Sequence, residues 1–232
     1  MSVSELSTST QNYLKVVWAL QEWSEEPVTS STIAARTGLK LSTVSGAVGK
    51  LAAEGLLTHA KYGAVSLTER GRRLAVEMIR RHRLIETFLV RELHYGWEEV
   101  HDEAEHLEHA VSDLLVDRID ALLGHPSRDP HGDPIPDRDG TVRAPSARRL
   151  SSFAPGGRVL VERFSDEDPQ LLRFFAERGL VLGAVLGIEP GAPYSDAVEV
   201  RVLDPETGEP GEAVPLGRTA CDAVWAAAVE EA

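Results

Sequence analysis

The segment His101–Asp113 reads HDEAEHLEHAVSD and places three histidines and five carboxylates within thirteen residues. On a helix, residues three and four apart share a face. With His101 at zero and about 100° per residue, Glu105 falls at about 40°, Glu108 at about 340° and His109 at about 80°. Glu103 and His106 fall on the opposite side, as solvent-facing residues. Two carboxylates and an imidazole at one level suit a divalent cation, because only a positive partner relieves their mutual repulsion. The preceding stretch RRHRLIETFLV adds His82 and Glu86 at i and i+4. Packed antiparallel, two such helices supply one compound site or two adjacent ones. Two other readings stand beside this one: a solvated acidic helix with ordinary His–Glu contacts, and a catalytic metal site. The second lacks the HExxH spacing that places two histidine ligands and a glutamate base on one face.

Several elements must position these residues. Tyr13, Leu14, Val16, Val17 and Leu20 fit one helical face after a Ser/Thr run able to cap it. Thr29, Ser30 and Ser31 can start a short helix that Gly38 ends, and a second helix begins near Ser42 with Val44, Val48 and Leu51 on its apolar side. Leu56–His59 and Ala64–Leu67 read as a hairpin about Lys61-Tyr62-Gly63. Helix, tight turn, helix and hairpin form the pattern of a winged helix-turn-helix, although the same apolar periodicity also suits a small helical bundle. A long helix then runs from Thr68 to about Arg91, and a new amphipathic run starts near Ser112. Residues 124–157 are dense in Pro, Gly, Asp and Arg, as a connection would be. Beyond them, Val159–Glu162, Ala184–Ile188 and Ala197–Val202 read as strands, Pro169–Arg178 as a helix and ACDAVWAAAVE as an apolar C-terminal helix.

The net charge of −13 is uneven. Residues 1–75 carry 8 Lys/Arg against 6 Asp/Glu, residues 76–150 carry 10 against 16, and residues 151–232 carry 6 against 15. A mildly basic first third suits a polyanion, and the acidic remainder suits cations. No stretch has the length of a membrane span, the N-terminus lacks signal-peptide features, and the single cysteine, Cys221, cannot staple one chain. A cytoplasmic protein without membrane association is expected. A redox sensor at Cys221 is a weaker reading than a core thiol.

The strings NYLKVVWAL, RRHRLIETFLV, VHDEAEHLEHAVSD and DPHGDPIP together resemble the diphtheria toxin repressor family, in particular its manganese-sensing branch. The resemblance implies a mainly α fold in three parts. These are a winged helix-turn-helix at 1–75, a helical metal-binding and dimerisation domain at 76–142 and, after a linker at 143–156, a small SH3-like (FeoA-type) β domain at 157–232. It implies a primary metal site from Asn12, Glu105, Glu108 and His109, and an ancillary one from His82, Glu86 and His101 with Asp168 and Gln170. Iron-sensing members carry cysteine where Glu105 stands and methionine where Asn12 stands. Manganese-type members offer aspartate at the latter place, so Asn12 is a departure. An oxygen-rich set favours a hard ion, Mn²⁺, with Fe²⁺ the alternative and two sites per subunit. The implied function is a homodimeric repressor of manganese homeostasis genes, not an enzyme and without a small-molecule substrate, that binds palindromic duplex DNA when metal-loaded. Ser30, Ser31, Lys40, Ser42, Thr43, Ser45, Lys50, Lys61 and Tyr62 are the expected DNA contacts, with helix capping the alternative role for Ser42.

Overall fold

The computed structural model describes residues 2–24, 26–60, 63–143 and 145–229. They form two compact units: Met1–Ile85 with Ala104–Ser127 and Ile135–Val142, and Glu86–Glu103 with Arg128–Pro134 and Arg143–Ala232.

In the first unit Ser7 caps α1 (Thr8–Glu22). Thr29 and Thr32 form a reciprocal capping box that starts α2 (Ser30–Thr37), and Gly38 at φ 67° closes it. The next helix, α3 (Leu41–Ala53), begins at Lys40 with no side-chain cap. Ser42 is therefore not the cap but lies in the exposed first turn. Strands β1 (Leu57–His59) and β2 (Val65–Leu67) pair antiparallel, Leu57 opposite Leu67. Leu14, Ile33, Val44, Val48, Leu51, Leu57 and Val65 meet in one buried core. Each such side chain contributes about 1.5–3 kcal/mol by leaving water. Gly71 fits only as glycine, since a Cβ there would sit 1.9 Å from the Leu56 carbonyl oxygen. Downstream, α4 (Glu69–Leu93) and α5 (Val100–Leu107) carry the His/Glu faces, and Ser112 caps α6 (Asp113–Leu122).

The second unit is built on a six-stranded antiparallel sheet in the order β3-β8-β4-β5-β6-β7. Its strands are β3 (Arg148–Arg149), β4 (Arg158–Phe164), β5 (Val185–Pro190), β6 (Val198–Leu203), β7 (Pro210–Leu216) and β8 (Val224–Ala228). Helix α7 (Pro169–Glu177) and the short α8 (Arg218–Asp222) complete it. The apolar C-terminal run is thus not one helix: it turns after Asp222 and continues as β8, between β3 and β4. A register shift between Val161 and Arg163 lets both Arg163 and Phe164 point inward. Phe164 packs on Phe175 at 5.1 Å between ring centroids. Cys221 is buried in this core, and loss of solvation pushes its thiol pKa up to about 11, which leaves no reactive thiolate at neutral pH. Among the described residues, no helix is long and apolar enough to cross a membrane.

Candidate metal centre and nucleic-acid interface

Helix α5 ends at Leu107, yet the Glu108 amide still bonds the Ala104 carbonyl at 2.9 Å, so one more helical turn keeps Glu105 and Glu108 on a common face. Glu105, Glu108 and His82 bring one ligand atom each within 4.8 Å of one another. Glu108 is fully buried, and His82 Nδ1 lies 2.6 Å from its Oε2. Burial alone would raise the Glu108 pKa, but the His82 hydrogen bond and the Lys15 charge outweigh it and hold the carboxylate below its usual range. His109 Nε2 stands 3.4 Å from Glu108 Oε1.

Two residues of α1 that the sequence pattern did not single out shape this group. Gln11 Nε2 donates to the Val3 and Leu6 carbonyls, which fixes its Oε1 as an acceptor 2.6 Å from His109 Nδ1. His109 therefore carries its proton on Nδ1 and turns the lone pair of Nε2 toward Glu108, as a ligating histidine must. Burial lowers the His109 pKa and keeps the ring neutral. The ammonium of Lys15 lies 2.6 Å from Glu108 Oε1 and also contacts Glu105 Oε1. Asn12 shares this face of α1, and its Oδ1 is buried without a hydrogen-bond partner.

In the second unit Glu86 and His101, two of the residues the resemblance assigns to the ancillary set, lie 3.5 Å apart. The carboxylate that joins them is Asp166, 2.8 Å from His101 Nδ1. Asp168 and Gln170 serve elsewhere: the Asp168 side chain caps α7 by accepting from the Gln170 and Leu171 amides, and Gln170 is exposed. The resemblance placed the acid two residues later in the SDEDPQ run than the one that stands against His101. Burial would lower the His101 pKa, but Asp166 and Glu86 outweigh it and raise it to about 10. Asp166 is half-buried, and its hydrogen bond and ion pair with His101 outweigh the loss of solvation and hold it well below the usual carboxylate range. Glu86 also belongs to a second group with Asp129 and His131, all three buried. His131 stacks on Trp97 and directs Nε2 to the Trp97 carbonyl oxygen at 2.8 Å. Gly132 beside it has φ 95°, and a Cβ there would meet the Glu162 carbonyl oxygen at 2.2 Å.

The expected DNA contacts Ser31, Lys40, Ser42, Thr43, Ser45 and Lys50 are exposed on α2 and α3, and Ser30 is half-buried. Lys61 and Tyr62 lie outside the described residues. Gly46 and Gly49 extend the exposed face of α3, and a Cβ at either would meet nothing among the described residues within 4 Å.

Three family profiles match in succession: the iron dependent repressor N-terminal DNA-binding domain at residues 5–65, the iron dependent repressor metal-binding and dimerisation domain at 68–137, and the FeoA domain at 148–227. That order defines the class, a metal-dependent transcription regulator with an appended β domain. The iron-dependent repressor IdeR of Mycobacterium leprae is 32% identical over 200 residues, 81% of this chain and 86% of that protein. IdeR of Mycobacterium tuberculosis is 38% identical over 134 residues, so the chain spans 58% of the length of that relative. A solved structure of a manganese-dependent transcriptional repressor in complex with manganese is 49% identical, with a TM-score of 0.88 over 95% of this chain and 100% of that one. The chain belongs to the diphtheria toxin repressor family of metal-dependent transcription regulators.

Proposed function

We propose that this protein is a cytoplasmic, homodimeric repressor that binds a palindromic operator when loaded with Mn²⁺ and so controls manganese homeostasis. The observation that carries the reading is the all-oxygen-and-imidazole donor set of Glu105, Glu108 and His109, beside which stands His82, a residue the resemblance assigns to the ancillary set. Among the described residues no sulfur belongs to it, for Met78 lies in the first core and Cys221 in the second. The residues fit a hard divalent cation: two acidic oxygens at one point, a histidine of fixed tautomer, and the orphaned Oδ1 of Asn12 as a neutral fourth donor. Glu86, His101 and Asp166 form the ancillary donor set. A bound cation supplies the positive charge that relieves the repulsion of these carboxylates. Glu105 and Glu108 on one side and Asn12 on the other then tie α1 to α5, which fixes how α2 and α3 are presented. The relatives matched are transcriptional repressors, which sets the metal-dependent enzyme aside.

We read residues 1–75 as the winged helix-turn-helix, 76–142 as the metal-binding and dimerisation domain, and 157–232 as the SH3-like domain, joined by 143–156. The exposed face of α3 is its recognition surface. A helix interior loses about 1 kcal/mol for each glycine relative to alanine, and no neighbour among the described residues requires Gly46 or Gly49. Close approach of duplex DNA supplies the reason. Gly46→Ala and Gly49→Ala are therefore expected to raise stability by about 1 kcal/mol each while weakening operator binding, measured by thermal melts and fluorescence anisotropy. Equal operator affinity in both variants would remove these positions from the interface.

An iron(II)-activated repressor is the second reading, favoured by the curated relatives, which are named iron-dependent. Operator binding at buffered free metal separates the two. Activation by Mn²⁺ at a lower free concentration than Fe²⁺ is expected, and the reverse order would make iron the effector.

A further inference from the structure

We propose that Lys15 is a tethered counter-ion that competes with a divalent cation for the carboxylates of Glu105 and Glu108, and so sets the metal concentration to which the protein responds. The inference rests on the metal-site reading above. Lys15 is 8% exposed, and its ammonium spans both carboxylates. Three N–H donors on one compact charge satisfy the same oxygen lone pairs that a metal would take. An ordinary structural ion pair needs no imidazoles around it. Here His82 already occupies Glu108 Oε2, and His109 Nε2 faces the same Oε1 that Lys15 holds.

Charge decides whether the ammonium and a metal can share the group. Two carboxylates and Lys15 sum to one negative charge. A divalent cation added to them leaves one positive charge in a buried place, whereas exchange of ammonium for metal leaves none. Exchange is therefore favoured over sharing. The four-carbon stem lets the head group swing away, which the rigid fork of arginine does less readily. Asn12, one turn earlier on the same helix, has a buried, unpartnered Oδ1 ready to act as donor once the ammonium has left. The apparent affinity for metal falls by the fraction of time the site stands free of ammonium, so a dock filled nine-tenths of the time weakens binding about tenfold.

The experiment titrates Mn²⁺ alone against wild type, Lys15→Met, Lys15→Gln and Lys15→Arg, reading free Mn²⁺ by electron paramagnetic resonance. The two neutral variants are expected to bind at least tenfold more tightly than wild type, with Lys15→Arg no tighter, and their metal-free forms to melt lower but gain more on adding Mn²⁺. Wild-type or weaker affinity in both neutral variants would overturn the proposal. Wild type alone provides a second measurement should the neutral variants not fold. Lys15 is expected to become reactive to an amine-acetylating reagent on adding Mn²⁺, read by peptide mass spectrometry, while Lys40 and Lys50 do not change. Continued protection of Lys15 under saturating Mn²⁺ overturns the proposal. Mn²⁺ bound by wild type without gain in the variants refutes Lys15 alone, whereas no Mn²⁺ bound by any form refutes the metal-site reading as well.

Discussion

Replacing Glu108 by Gln is expected to lower Mn²⁺ affinity on the order of 100-fold or more, since even partners of ligands account for about 10–100-fold. Glu108 is fully buried, and both of its oxygens are in use. The amide keeps the volume but removes the charge that balances Lys15 and accepts from His82. Removing one partner of a buried ion pair costs about 3–5 kcal/mol, and Glu105 remains to hold Lys15, so a loss near the lower end, about 3 kcal/mol, is expected in the metal-free protein. Isothermal titration with Mn²⁺ and urea unfolding under chelation measure the two effects separately. Unchanged Mn²⁺ affinity would remove Glu108 from the site.

Gly132→Ala is expected to destabilise the second unit by about 3 kcal/mol, the upper range for one strained backbone position. Two costs add: an L side chain at φ 95°, and a Cβ driven to 2.2 Å from the Glu162 carbonyl oxygen. Gly156→Ala is the control. It has a comparable φ of 99° but open space around its Cβ, so only the conformational cost of about 1 kcal/mol applies. Urea midpoints followed by tryptophan fluorescence compare them, Trp97 and Trp225 both belonging to this unit. Equal losses in the two variants would show that the carbonyl contact is relieved at no cost.

Where local periodicity decides the outcome, the sequence was a sound guide. Glu105 and Glu108 share a face because three residues nearly complete a helical turn, and the Ser/Thr caps, Gly38 and the β1–β2 hairpin follow from short-range rules. Three features were hidden because tertiary context sets them. A lysine near acids reads as a solvated charge, and only the docking of α1 places Lys15 between Glu105 and Glu108. Asp166 precedes the cap of α7 in a run of acids, where spacing cannot tell which one faces His101. The alanines of β8 favour helix locally, but pairing with β4 and β3 overrides that preference. Strand β7 went unread because PGEAVPL carries two prolines, tolerable at the sheet edge where it lies.

The central claim is that metal held by Glu105, Glu108 and His109 switches DNA binding. Fluorescence anisotropy of a labelled palindromic operator, with the protein first loaded with Mn²⁺ and then treated with excess chelator, tests it most directly. The account predicts binding that needs Mn²⁺, is lost on chelation and returns when Mn²⁺ is restored. Operator binding that persists unchanged through chelation would contradict it.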